Sequence, residues 1–181
     1  MNLDLILPII TNIYLYNNIY SSIYNCSIIT ICTFIKLIFY NNYFAHKILE
    51  FGLLNSILYY TIDTIKILYE NKKINAYVIH HICACNLFIN KYIFNYDVYN
   101  FYLMVFLMES SSIFYNLNYF KFINYKLHVY TYVPLRFLCN LIFLYFIMYE
   151  NKFTYYTELI IDIITYTLLF IFNVVAIYKN I

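Results

Sequence analysis

Six long apolar stretches, separated by short polar breaks, account for most of this chain. Each stretch is long enough for a helix to cross a hydrocarbon core of about 30 Å. Hydrophobic residues make up 64% of the sequence and charged residues only 11%, so a soluble domain of this composition would expose large apolar patches. We therefore predict an all-α, polytopic transmembrane bundle of about six helices. The predicted spans are Ile19–Tyr40, Phe51–Tyr69, Ile74–Phe94, Val98–Leu117, Val129–Tyr149 and Phe153–Tyr178.

The six spans form one predicted membrane domain, residues 19–181, which follows a shorter hydrophobic segment, residues 1–18. This segment carries Pro8 and is short for a membrane-crossing helix. Two interpretations are open for it, a seventh, tilted span or a helix lying in the membrane interface. Because the breaks between spans are short, consecutive helices are predicted to be antiparallel neighbours.

Positive charge is distributed unequally between alternate breaks. One set contains Lys72, Lys73, Lys121, Lys126 and Lys179, and the other contains Lys47, Lys91 and Lys152, each with an acidic residue nearby in sequence. The positive-inside rule assigns the lysine-richer side of a membrane protein to the cytosol. It therefore predicts a cytosolic C-terminus for this chain.

Several ionisable residues fall inside the predicted spans, where each costs at least about 2.5 kcal/mol on insertion scales. Counted from shared turns, those on neighbouring helices lie at similar depths, with a worst mismatch of four residues, or about 6 Å of helix rise. Matched depths on five neighbouring helices predict one shared interior site. The ionisable residues are Asp63, His80, His81, Glu109, Arg136 and Asp162.

Helical spacing adds a polar stripe to this site. Glu109, Ser112 and Asn116 recur at i, i+3 and i+7, which is one helix face. His80 and His81 are adjacent and point about 100° apart, so at most one is expected to aim straight into the cavity.

Each polar residue also has a purely structural interpretation. Asp63 could be neutralised by Lys66 one turn away, and Arg136 by Asp162. Ser111 could hold two helices together by a hydrogen bond.

A metal site was the other specific interpretation of the paired histidines. The run His80-His81-x-Cys83-x-Cys85 contains four soft ligands, but on a helix only His81 and Cys85 share a face. Structural zinc needs four converging ligands, so we expect no metal and no cofactor. The net charge of +2 comes from scattered lysines and indicates no nucleic-acid partner.

With these residues in these positions, the chain resembles the TLC-domain family, membrane proteins that include the ceramide synthases. The resemblance extends from about Ser21 to Ile181. The similar segments are FGLLNSILYYTIDTIKIL with Asp63, AYVIHHICAC with His80 and His81, LMESSSIFYNLNYF with Glu109, Ser111, Phe114 and Asn116, YTYVPLRFLCN with Arg136, and IFNVVAIYKNI with Asn173.

This resemblance implies six helices around a lipid-accessible cavity that admits an acyl chain or a membrane lipid. In the family's synthases the paired histidines are tied to transfer of an acyl group from acyl-CoA to a sphingoid amine. If the chain is such an enzyme, the implied catalytic residues are His80, His81, Asp63 and Glu109. The implied lipid-binding belt is Ser111, Ser112, Asn116, Arg136 and Asp162.

The chain departs from the synthases on the fourth span. Ceramide synthases carry a His-Asp-x-Ser-Asp run where this chain has Met108 to Ser112, and Asn118 replaces an Arg of the non-synthase pattern. The resemblance therefore favours the family's lipid-regulating branch, with membrane lipid or an acyl chain as partner and the endoplasmic reticulum as location. The alternatives are an acyl-CoA-dependent N-acyltransferase, with acyl-CoA as substrate, and a transporter or trafficking receptor. The sequence does not indicate an oligomeric state.

Overall fold

The computed structural model describes residues 21–72, 74–94, 99–145 and 156–179. All regular secondary structure in these ranges is α-helical, which confirms the predicted all-α class and its six helices. The predicted segment of residues 1–18 lies outside the described residues. The helices are α1 (Ser21–Ile38), α2 (Tyr43–Asn71), α3 (Ala76–Phe94), α4 (Tyr99–Tyr119), α5 (Tyr125–Tyr145) and α6 (Tyr156–Lys179).

Asparagine side chains begin three of these helices. The Oδ1 atom of Asn42 accepts hydrogen bonds from the Phe44 and Ala45 N–H groups at 2.8 and 3.3 Å. Asn75 and Asn124 likewise accept from backbone N–H groups three residues ahead. Such caps satisfy donors that have no partner inside the helix. The cap at Asn42 starts α2 at Tyr43, so the start of the predicted span Phe51–Tyr69 was wrong by eight residues.

Two lysines end helices in the left-handed backbone region. Lys72 has φ 50° and follows α2, and its N–H donates to the Leu68 carbonyl. Lys121 has φ 61°, and the N–H of the next residue, Phe122, donates to the Leu117 carbonyl at 2.8 Å. Both arrangements satisfy carbonyls at a helix C-terminus. They place exposed lysines in the turns after α2 and α4.

The six helices pack as a closed ring in the order α1, α2, α3, α6, α5, α4. Neighbours in the ring are antiparallel: Asn86 and His80 of α3, for example, contact Thr165 and Phe172 of α6 in reverse order. The predicted contact between consecutive helices holds except for α3 and α4. Among the described residues, α3 packs against α2 and α6, and α4 packs against α1 and α5. In this ring α2 lies opposite α5, and α3 lies opposite α4.

The ring has two distinct ends. One end, which we call the lysine end, carries the α2–α3 and α4–α5 turns with exposed Lys72, Lys121 and Lys126. The helix order places the start of α1 and the end of α6 at this same end. The opposite end carries the α1–α2 turn with Asn42.

A hydrophobic core fills the half of the ring farther from the lysine end. On every helix the core residues are buried and pack into one contiguous cluster that closes the interior on that side. The cluster includes Ile29, Leu49, Leu53, Ala84, Leu87, Phe88, Phe101, Met104, Val105, Met108, Cys139 and Leu169.

Gly52 allows α1 and α2 to approach closely beside this core. A Cβ atom added at Gly52 would lie 2.8 Å from the Cβ of Cys32 and 2.9 Å from its Sγ. Small residues at a helix crossing permit this kind of backbone approach. The sole glycine of the chain therefore has a packing role.

Among the described helices, only α1 is both long and apolar enough to qualify as a membrane span by length and mean hydropathy. Core helices of soluble proteins and signal sequences pass the same test. Tyrosine, asparagine and charged residues lower the mean hydropathy of α2, α4 and α5.

Candidate functional site

A cavity of about 370 Å³ occupies the half of the ring nearer the lysine end. All six helices contribute lining residues, and on each helix these lie closer to the lysine end than the core residues do. The lining is rich in tyrosine and includes both adjacent histidines and one arginine. The core described above forms its floor.

Asp63 of α2 and His81 of α3 meet at the wall of the cavity. Asp63 Oδ2 lies 3.3 Å from His81 Nδ1, and the His81 side chain is 9% exposed. The Tyr60 ring packs 5.0 Å from the His81 ring. His81 Nδ1 makes no hydrogen bond within the described residues, so this is an electrostatic contact between a carboxylate and an imidazole.

His80 also lines the cavity, but on the α6 side. Its ring stacks on Phe172, with centroids 4.3 Å apart and an interplanar angle of 18°. Its buried Nδ1 has no hydrogen-bond partner among the described residues. Both imidazoles therefore reach the cavity, His81 from a helix contact with α2 and His80 from a contact with α6.

Glu109 lies behind the cavity wall and is fully buried. The Tyr60 hydroxyl donates a 2.8 Å hydrogen bond to Glu109 Oε1. Burying a carboxylate costs several kcal/mol unless it is hydrogen-bonded or paired, so Tyr60 provides necessary stabilisation. Tyr60 therefore connects the two acidic groups. Its hydroxyl bonds to Glu109, and its ring packs on His81, which contacts Asp63.

Arg136 of α5 forms the opposite wall. Its NH2 donates to Ser112 Oγ at 2.7 Å and its NH1 donates to Asn173 Oδ1 at 2.6 Å. Asn173 in turn donates to Asn140 Oδ1 at 3.0 Å, and the guanidinium lies 5.4 Å from the Tyr132 ring centroid. These contacts hold the planar guanidinium in one orientation against the cavity.

The remaining belt residues behave differently from one another. Asn116 lines the cavity and donates to Ser22 Oγ at 2.9 Å, which ties α4 to α1. Ser111 is buried and donates to the Met108 carbonyl of its own helix at 2.6 Å. It therefore stands outside the lining. The side chain of Asp162 lies outside the described residues.

The mouth of the cavity lies between the start of α3 and the end of α6. Ala76, Tyr77 and Val175 are the exposed members of the lining. At the mouth, the hydroxyls of Tyr77 and Tyr115 form an exposed 3.0 Å hydrogen bond between α3 and α4. Because those helices lie on opposite sides of the ring, this bond crosses the opening.

Sequence reasoning missed the tyrosines of this site. Tyr60 lies three residues before Asp63 and so shares its helix face, which is a usable signal. Because the chain has 25 tyrosines, however, a tyrosine on a polar helix face is a weak signal for a site. Tyr132 precedes Arg136 by four residues and was missed for the same reason.

The arrangement offers a carboxylate–imidazole pair, a second imidazole and a fixed guanidinium around a small cavity. Among the described side chains, no group of three or more His, Cys, Asp or Glu residues is placed to hold a metal ion. The groups that are present can exchange a proton and can bind an anion. No family model, curated protein or solved structure matches the chain.

Proposed function

We propose that this chain is a multi-pass membrane protein of the TLC type, which binds a membrane lipid or acyl chain in the cavity at its lysine end and acts in lipid homeostasis. The observation that carries the proposal is a polar, one-ended cavity inside a bundle whose outer surface is apolar.

The distribution of polarity supports the membrane location. Large apolar side chains are exposed near the middle of four helices, for instance Ile31 on α1, Phe137 on α5 and Ile171 on α6. Soluble monomers rarely expose apolar surface on this scale. Inside the ring, the polar residues Asn25, Asn55 and Glu109 are fully buried. Exposed apolar side chains together with buried polar ones suit a lipid solvent.

The position of the mouth supports lipid as the ligand. An exposed opening between α3 and α6, close to one end of the helices, would lie at the membrane interface, where an amphiphile presents its polar group. The volume of about 370 Å³ is within the range of small-molecule sites. The hydrophobic floor closes the far side of the cavity and so argues against a continuous transport pathway. We therefore favour lipid binding over the transporter alternative.

A mouth-blocking variant tests the proposal. Ala76→Trp fills the exposed mouth without touching the core, and Ile65→Trp adds the same ring at an exposed site of α2 away from the cavity. After purification in mild detergent, we expect specifically retained lipid, measured by mass spectrometry, to fall in Ala76→Trp and to stay unchanged in Ile65→Trp. Equal retention in both variants would mean that the lipid coats the outer surface only.

The Asp63–His81 contact favours a second candidate function, that of an acyl-CoA-dependent N-acyltransferase. His81 would take a proton from the attacking amine as the amide bond forms, while the thioester C–S bond breaks and coenzyme A leaves as the thiol. Asp63 would orient the imidazole. Purified protein incubated with acyl-CoA and a panel of long-chain amines provides the test. Turnover that is lost in His81→Ala would establish the enzyme and displace a purely binding function.

A further inference from the structure

The chemistry of the cavity wall specifies the ligand's polar group more closely than the proposed function does. Five tyrosines line the cavity, namely Tyr59, Tyr60, Tyr77, Tyr115 and Tyr132. Tyrosine rings attract cations through their electron-rich faces, and aromatic cages of this type recognise quaternary ammonium groups. The rings of Tyr59 and Tyr60 pack edge to face, at 63° with centroids 5.3 Å apart, and together they form an aromatic wall of the cavity.

Two acidic residues, Glu109 and Asp63, lie close to this aromatic wall. Tyr60 donates its hydroxyl proton to the Glu109 carboxylate, and hydrogen bonds to a charged acceptor polarise the donor group. Asp63 follows on the same helix and contacts His81, whose ring packs on Tyr60. The α2 wall is therefore suited to a positively charged group that needs no hydrogen bonds of its own.

The α5 wall has the opposite character. Arg136 is 3% exposed and is held by Ser112 and Asn173. These two bonds use two of the five N–H donors of a guanidinium, and Arg136 lines the cavity, so donors remain for a ligand. A guanidinium fixed in this way matches the oxygens of a phosphate group.

We propose that the cavity binds the zwitterionic phosphocholine headgroup of a membrane lipid. The ring order places α2 opposite α5, so the trimethylammonium group would lie against Tyr59 and Tyr60 while the phosphate accepts from Arg136. The inference rests on the proposed lipid-binding function and adds the class of headgroup. A purely anionic lipid would leave the tyrosine wall unused, and a purely cationic amphiphile would leave Arg136 without its acceptor.

Three acyl-chain-labelled lipids with matched chains test the assignment on the purified full-length protein. They are a phosphatidylcholine, a phosphatidylglycerol and a dialkyl trimethylammonium lipid. We expect the unmodified protein to bind the phosphatidylcholine about tenfold more tightly than the trimethylammonium lipid, which has no phosphate for Arg136. It should also bind the phosphatidylcholine several-fold more tightly than the phosphatidylglycerol, which has no cation for the tyrosine rings.

Variants assign the two walls separately. Arg136→Gln is expected to weaken phosphatidylcholine about tenfold while leaving the trimethylammonium lipid unchanged. Tyr59→Leu is expected to weaken phosphatidylcholine and the trimethylammonium lipid, and to leave phosphatidylglycerol unchanged. Lys126→Gln, which removes an exposed charge at the same end, is the matched control and should change none of the three affinities.

The outcomes separate this inference from the proposed function. If the unmodified protein binds all three lipids equally in its cavity, or a phosphatidylethanolamine more tightly than the phosphatidylcholine, the headgroup assignment is wrong while lipid binding stands. Saturable binding of none of the lipids would overturn both. The comparison uses the unmodified protein, so it decides the matter even if Arg136→Gln does not fold.

Discussion

The Tyr60 hydroxyl has one well-defined task at the scale of single residues, which is to donate a hydrogen bond to the buried carboxylate of Glu109. Removing that donor leaves a charged acceptor partly unsatisfied in a buried site. Tyr60→Phe should therefore lower the free energy of unfolding by about 1–3 kcal/mol. Thermal or denaturant unfolding in detergent measures the change.

A double-mutant cycle separates the free energy of this hydrogen bond from the other effects of removing the Tyr60 hydroxyl. In a Glu109→Gln background the acceptor is neutral, so Tyr60→Phe should cost less than it does in the unmodified protein. Equal costs in the two backgrounds would show that the hydroxyl stabilises the protein through some other contact.

The paired histidines lead to a second prediction at this scale. In the lipid-binding function that we propose, His80→Ala should alter the retained lipid without lowering protein yield, because His80 is the half-buried member that lines the cavity beside Phe172. His81→Ala should lower thermal stability as well, since Asp63 loses its imidazole contact.

Lipid mass spectrometry and thermal unfolding on the same preparations distinguish the two variants. Identical effects of both substitutions would contradict the separate roles. A loss of roughly 10²–10⁴ in acyl transfer would identify a catalytic acid–base.

The sequence predicted part of this site for a physical reason. Depth along a helix follows directly from residue counting, so the proximity of Asp63 and His81 was accessible before the structure was known. Rotation about each helix axis is set by packing, which counting does not supply. The partners of Arg136, which are Ser112 and Asn173, were therefore not predicted. The partner suggested by the sequence was Asp162, whose side chain lies outside the described residues.

At the scale of helices, the close approach of α1 and α2 at Gly52 sets a strict size limit. Gly52→Ala would gain up to about 1 kcal/mol of helix propensity. The added Cβ, 2.8 Å from Cys32 Cβ, would force the helices apart at a cost of roughly 1–3 kcal/mol. We therefore expect a net loss of stability, seen as a lower midpoint of thermal unfolding.

Exchanging the two side chains is the control for that prediction. The double variant Gly52→Ala, Cys32→Gly removes both Cys32 atoms that the new methyl group would meet and keeps one glycine at the crossing. Its stability should recover toward that of the unmodified protein. A double variant no more stable than Gly52→Ala would show that the glycine is needed for something other than close packing.

Helix number was predictable because long apolar runs and polar breaks are local features of the sequence. Helix ends were less so: Asn42 begins α2 inside a predicted break, because a side-chain cap decides where a helix starts. The closure of the ring was not predictable. Short breaks indicate which consecutive helices are neighbours, but the α1–α4 and α3–α6 contacts join helices distant in sequence.

At the scale of the whole molecule, the proposed orientation in the membrane can be tested directly. Exposed Lys72, Lys121 and Lys126 share one end of the ring, and the positive-inside rule places that end in the cytosol. Glycosylation acceptors inserted in the Lys121–Lys126 turn and after Ile181 should stay unmodified in microsomes. An acceptor inserted by a flexible extension beside Asn42, at the opposite end, should be glycosylated. The reverse pattern would invert the orientation.

The closed floor has a consequence for timing. A cavity with one mouth admits and releases its occupant by the same route, so a second molecule must wait until the first has departed. The Tyr77–Tyr115 hydrogen bond at the mouth would raise the barrier that arrival and departure share. Tyr77→Phe should therefore accelerate both with little change in the equilibrium constant, as stopped-flow exchange of a labelled lipid would reveal. If the cavity binds a lipid as we propose, exchange is sequential, so uptake by an occupied protein cannot be faster than the departure of the first molecule.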